Sequence, residues 1–181
     1  DMLAAYWIAV DEQGFAYVYR EAYRSGLIIS EAAELLREMG LDGAGVIYAP
    51  PDLWNRRQDT GKSAAEIFAE CGVPLTKADN RRVQGWYDMA EWLRVTGESE
   101  ERYAALRIFR GCCPNLARCL PLVQIDEKNP NDVANEPHEL THSVDAIRYF
   151  CAGRPLPAER PKTEEELWED SELSEFLDYG R

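Results

Sequence analysis

Two strand-length apolar runs open the chain on either side of a short turn, and they commit it to a fold that contains a sheet. Residues 3–10 (LAAYWIAV) are rich in aromatic and β-branched side chains, Asp11-Glu12-Gln13-Gly14 supplies turn chemistry, and residues 15–19 (FAYVY) read as the second strand of an antiparallel hairpin. A chain that opens inside a sheet also suggests a fragment, with a further strand expected upstream of Asp1.

After the hairpin, helices alternate with short strands. Ser30 caps a helix over residues 31–39, with Leu35, Leu36 and Met39 as its buried side and Gly40 at its end. Residues 45–49 (GVIYA) are a short, fully apolar strand of the kind that helices cover on both faces. Pro50-Pro51 stops that strand and leaves Asp52 just beyond its carboxyl end, where ligands gather in open α/β sheets. By position alone Asp52 is equally a turn residue or a helix cap. Ser63, with Glu66 three residues on, starts a helix that runs to about Cys71 and stops at Gly72. Val73-Pro74-Leu75 is at best an edge strand. Asp79 or Asn80 caps a longer helix over 81–95 with an apolar face of Val83, Trp86, Met89, Ala90 and Leu93. Residues 103–109 read as a strand, Pro114 as the start of a helix reaching about Leu122, and residues 126–135 as a polar loop. The whole is α/β with a mixed sheet, without internal repeats.

At 181 residues the chain is one domain, or one domain and a tail, and can bury a core without metal or disulfide staples. Past Gly153 the composition changes: Pro155, Pro157 and Pro161 mark a linker, and an acidic segment with Leu167, Trp168, Leu173, Phe176 and Leu177 follows. The expected division is a folded domain over 1–153 and an acidic tail over 154–181, either docked as an amphipathic segment or disordered. Five cysteines without a CxxC pair read as reduced thiols of a cytosolic protein. No run reaches membrane-spanning length and no signal peptide is visible.

The formal charge of −13 argues against extended phosphate binding, yet basic residues cluster at Arg56, Arg57 and Lys62 and again at Lys77, Arg81 and Arg82. Thr60-Gly61-Lys62-Ser63 is not a P-loop, because the first glycine of that motif would have to stand at Arg56. Arg81 and Arg82 open their helix against the dipole preference, which sets a phosphate-facing role beside the default of a solvated pair.

Metal-capable side chains concentrate in residues 138–150 (HELTHSVDAIRYF). At helical spacing His138, His142 and Asp145 share one face, with Leu140, Val144, Ile147 and Tyr149 available to pack behind them. That stripe is either a ligand set or a solvated polar face. Asp52 and Asp145 come from separate elements, as two-metal nucleases require of carboxylates that converge on ions about 3.5–4 Å apart. Oxygen ligands suit Mg²⁺ or Mn²⁺.

Four blocks, in this order, carry a resemblance to the C-terminal nuclease domain of the large terminase subunit of tailed bacteriophages and prophages. They are Tyr48-Ala49-Pro50-Pro51-Asp52-Leu53-Trp54-Asn55-Arg56-Arg57, Thr60-Gly61-Lys62-Ser63, Asn80-Arg81-Arg82-Val83-Gln84-Gly85-Trp86, and the run from Glu136 to Tyr149. The resemblance covers about residues 1–150, and its most specific part is Asp145-Ala146-Ile147-Arg148-Tyr149. It implies a ribonuclease H-like fold, a mixed sheet flanked by helices with its first strand truncated here. It also implies a metal-dependent endodeoxyribonuclease that cuts concatemeric double-stranded DNA during packaging, with two divalent ions, Mg or Mn.

Carried over by motif, Asp52 resembles the carboxylate of the third sheet strand and Asp145 that of the last helix. Some members place a histidine at the last-helix position, so His142 is a neighbouring metal ligand, with His138 and Glu139 as weaker candidates. The family's first carboxylate has no match in this chain and is expected upstream of Asp1. Asp1 itself is an auxiliary ligand or simply the residue after that motif, and a fragment without the first carboxylate would be weakly active. Arg56, Arg57, Lys62, Arg81 and Arg82 would position phosphates without reading sequence. The partners so implied are double-stranded DNA, a terminase ATPase domain, the small terminase subunit and the portal, in the cytoplasm of a bacterial host, with no membrane. Two other readings stand beside this one. The first is a non-enzymatic packaging-motor module that binds through its acidic surface and aromatic tail. The second is a ribonuclease H-like resolvase or transposase, disfavoured by Gln84-Gly85-Trp86 and the final run.

Overall fold

Alternation of side chains along the first strand decides the layering. In the computed structural model, which describes residues 2–41, 43–58, 61–97 and 102–153, β1 (Met2–Val10) pairs antiparallel with β2 (Ala16–Ser25). Asp1 and the tail over 154–181 lie outside the described residues. One parity of β1, Leu3, Ala5 and Trp7, packs towards Ala32, Ala33 and Leu36 of α1 (Ile29–Glu38) and Phe68 of α2 (Ala64–Glu70). The other parity, Tyr6, Ile8 and Val10, packs on the opposite face against a second core. That core joins Ala16 and Val18 of β2 to Met89 and Trp92 of α3 (Arg82–Leu93), Leu116 and Cys119 of α4 (Pro114–Cys119), and Val144, Ile147 and Cys151 of α5 (His138–Gly153).

Two further pieces complete the sheet region. β3 (Tyr48–Ala49) and β4 (Thr76–Lys77) form a parallel pair, and β5 (Leu106–Ile108) adds in parallel to the far side of β2. The strand order is β1-β2-β5 in one sheet and β3-β4 in the other, and α5 packs across both β1 and β3. Parallel and antiparallel pairs flanked by five α-helices, among the described residues, meet the expectation of a mixed α/β fold.

Several boundaries differ from the sequence reading. β2 continues to Ser25, well past residue 19, because its polar residues find partners: Glu21 accepts the backbone N–H groups of Asn115 and Leu116 at 2.9 and 3.2 Å, and Arg20 donates to the Met39 carbonyl. α1 starts at Ile29, since the Glu31 carboxylate accepts the Ile28 N–H at 3.0 Å and draws Ser30 into the first turn. The apolar stretch 45–49 keeps only two residues as strand, and β4 lies beyond Pro74-Leu75. β5 covers only residues 106–108 of the expected 103–109, while Tyr103 pairs with Thr96 in an isolated bridge. On α3 the buried side is Gly85, Met89 and Trp92, and Ala90 is exposed.

The cap at Ser63 forms as expected. Its hydroxyl accepts the Glu66 N–H at 3.2 Å and Glu66 accepts the Ser63 N–H at 2.6 Å. Ser63→Ala is therefore expected to cost about 1 kcal/mol, seen as a lower urea midpoint at unchanged slope. All five cysteines are free thiols. Burial pushes the Cys113 thiol up to about 11 and that of Cys151 higher still, so both are inert packing groups. Among the described residues no helix is long and apolar enough to cross a membrane.

Candidate active site

Because β3 and β4 run parallel, their carboxyl ends lie side by side. Pro50 and Pro51 end β3, and the chain turns through one 3-10 segment, Pro51–Trp54, that leaves Asp52 exposed. Beside it, Ala78 N–H donates to the Ala49 carbonyl at 2.9 Å, and Asp79 follows. Hydrogen bonds from the Arg81 side chain and backbone hold the Asp79 carboxyl below the usual range, and the charge of Arg148 adds to them.

Helix α5 closes this end of the sheet. The Tyr48 hydroxyl donates to the Gly153 carbonyl at 3.1 Å, which fixes the helix C-terminus against β3. One turn back, burial pushes the Tyr149 hydroxyl up, and the charges of Asp145 and Asp52 push in the same direction against Arg148. The two carboxylates predicted from sequence thus act on one side chain from two different elements.

Asp145 is held by two guanidinium groups. Arg148 Nε donates to its Oδ1 at 2.9 Å, while an Arg82 terminal nitrogen stands 3.3 Å from Oδ1 and 3.5 Å from Oδ2. Arg148 is 1% exposed, lying over Trp86 at 5.2 Å and Tyr149 at 4.5 Å. Arg82 makes its shorter bonds elsewhere, from Nε to Asp132 at 2.8 Å and from its other terminal nitrogen to the Val133 carbonyl at 3.1 Å.

Asp132, which the sequence reading left in an anonymous polar loop, is the hub of that second set. One of its oxygens accepts Arg82, the Trp86 indole N–H at 2.8 Å and the Val133 N–H at 2.7 Å. An Asp within an Asn-rich turn was the only sequence signal, and it says nothing of partners 46 and 50 residues away.

The remaining candidates are placed as follows. His142 is half-buried on α5 with its ring 6.2 Å from that of exposed His138, and His138 faces Glu136 at 3.2 Å. Arg56, Arg57 and Lys62 belong to one loop, tied by the Arg56–Ser63 bridge and the Arg57 N–H to Lys62 carbonyl bond. Arg56 stands 3.9 Å from Glu66, Lys62 2.7 Å from Glu70 and Arg81 2.6 Å from Asp79. These cations are therefore locally neutralised, and a phosphate would have to exchange with their acidic partners.

Among the described residues no group of three or more His, Cys, Asp or Glu side chains converges on one point. Asp52 and Asp145 are both carboxylates, and Mg²⁺ or Mn²⁺ sites are commonly built from one or two protein carboxylates completed by water and substrate phosphate.

No family model matches the sequence, and no curated protein matches it. Among solved structures, the chain resembles the nuclease domain of g2p, the large terminase of bacteriophage SPP1, crystallised with bound Mn: the TM-score is 0.56, with 20% identity over 82% of this chain and 77% of the other. The chain thus shares the mixed α/β fold of that large-terminase nuclease domain, as the resemblance of its sequence motifs implies.

Proposed function

We propose that this chain is a metal-dependent endodeoxyribonuclease domain of a phage DNA-packaging terminase, cutting concatemeric double-stranded DNA. The observation that carries the reading is the likeness of the fold to a large-terminase nuclease domain crystallised with Mn, with Asp52 off the end of β3 and Asp145 on α5 as the carboxylates its motifs single out. Bound divalent ions, two of Mg or Mn, would supply an activated water and a positive charge at the leaving oxygen. The chain's own part is to hold them through Asp52 and Asp145, with His142 alongside. Arg56, Lys62 and Arg81 position the DNA backbone by exchanging their acidic partners for phosphates, with Arg57 beside them in the same loop, which makes affinity fall with salt. Arg82 sits closer to the site, 26% exposed and shared between Asp132 and Asp145, and contacts phosphate only where that pairing opens. An ATPase domain, the small terminase subunit and the portal are the partners this reading brings with it.

Nicking of supercoiled plasmid in Mn²⁺ tests it. Asp52→Ala and Asp145→Ala are each expected to lower the rate at least about 100-fold, since removing a ligand costs more than disturbing its supporting shell. Full activity in either variant would sink the site assignment.

A further inference from the structure

We infer that Arg148 is the positioning residue of this site: it locks Oδ1 of Asp145 and so leaves Oδ2 as the atom that meets a divalent ion. The inference rests on the reading of Asp145 as a ligand.

A guanidinium that is 1% exposed is an unusual thing for a helix to bury. Its own hydrogen bonding does not account for it. Nε serves Asp145, but one terminal nitrogen is buried without a hydrogen-bond partner. An apolar side chain of similar volume would fill the slot between Trp86 and Tyr149 without that desolvation penalty. The neighbouring helix is also shaped around this side chain. A Cβ at Gly85 would stand 2.9 Å from Arg148 Cγ and 3.2 Å from Cδ and a terminal nitrogen. Glycine inside a helix is unfavourable relative to alanine, so α3 gives up local stability where Arg148 passes.

The two guanidiniums at Asp145 are not equivalent. Arg148 makes the one short bond, to Oδ1, whereas Oδ2 has only the 3.5 Å approach of Arg82, whose better partners are on the 126–135 loop. The Asp145 side chain keeps 23% of its surface open. By charge alone, a fixed guanidinium beside a ligand carboxylate weakens cation binding. Its contribution is therefore geometric: it fixes which oxygen faces outward, as supporting groups around metal ligands do.

Charge and geometry predict opposite signs, and calorimetric titration of the full chain with Mn²⁺ separates them. Arg148→Met is expected to weaken Mn²⁺ binding about 10–100-fold, with kcat for plasmid nicking falling and KM for DNA unchanged. Arg148→Lys, which keeps the charge but not the Nε–Oδ1 geometry, is expected to weaken it similarly. Gly85→Ala displaces Arg148 without removing it, and is expected to weaken Mn²⁺ binding in a chain that still melts cooperatively. It keeps the question open to test if Arg148→Met fails to fold. Unchanged or tighter Mn²⁺ binding in the folded Arg148 or Gly85 variants overturns the positioning role. Unchanged binding in Asp145→Asn overturns instead the reading of Asp145 as a ligand.

Discussion

Trp92→Ala is expected to destabilise the protein by about 3–5 kcal/mol, measured as ΔG from urea denaturation. Trp92 is 1% exposed, and its ring lies 5.4 Å from that of Phe150 at a 54° tilt. It belongs to the core that joins α3, α4 and α5 to the inner face of β2. Truncation to alanine removes an indole's worth of buried surface and leaves a cavity in the seam between α3 and α5, which cannot close without moving one helix. Domains of this size have about 5–15 kcal/mol in all, so the variant would keep at most a fraction of its stability. The same seam carries Arg82, Gly85 and Trp86 on one side and Asp145 and Arg148 on the other, so the cavity is expected to loosen the site as well. Trp92→Phe, which keeps a ring there, should lose clearly less. A loss below about 1 kcal/mol for Trp92→Ala would mean that α3 is held by the polar contacts at its N-terminus and not by this core.

Trp92 also marks where the sequence pattern misled. The periodic face assigned to α3 was Val83, Trp86, Met89, Ala90 and Leu93, but Ala90 is exposed and Trp92 is buried. Gly85, Met89 and Trp92 recur at i, i+4 and i+7, which is as good a helical stripe. Gly85 hides it, because a glycine that makes room for Arg148 carries no hydrophobic signal. The hairpin, the Ser63 cap, the turn at Pro50-Pro51 and the placement of Asp52 were legible because each depends on neighbours a few residues apart. What was not legible depends on distant partners. β2 carries Arg20, Glu21 and Arg24 and reads as a strand that ends early, yet Glu21 caps the start of α4 some ninety residues on. Arg82 was grouped with the phosphate-positioning cations because it opens a helix. In the fold it is bonded to Asp132 and Asp145, fifty and sixty-three residues away. Arg148 was visible as part of a motif, but the motif could not say that its guanidinium is buried or which oxygen it holds.

The 126–135 loop reaches the site chiefly through Asp132, and that makes Asp132→Ala the second large effect. Its carboxylate, 18% exposed, pairs with Arg82, 26% exposed, and also takes the Trp86 indole and the Val133 N–H. Removing one partner of a half-buried pair leaves the other charge with poor compensation. Breaking a fully buried pair costs about 3–5 kcal/mol, and partial solvent access reduces that here to about 2–3 kcal/mol. pH gives the loss a signature. Burial works to raise the Asp132 pKa, but hydrogen bonds from Val133 and Trp86, with Arg82 beside them, outweigh it and hold the carboxyl below its ordinary value. A folded-state pKa below the unfolded one, about 3.9, stabilises the fold in full above that value. That contribution is lost as pH falls through the lower folded-state pKa, when the carboxyl protonates and Arg82 loses the nearer of its two counter-charges. The difference in urea stability between wild type and Asp132→Ala should therefore be constant from neutral pH to about pH 5 and shrink in more acidic solution. Asp132→Asn, which can still accept hydrogen bonds, should lose less and show no such acid-dependent difference in its own contribution. A gap between wild type and Asp132→Ala that stays the same down to pH 2 would show that shape, and not charge, is what Asp132 gives the loop.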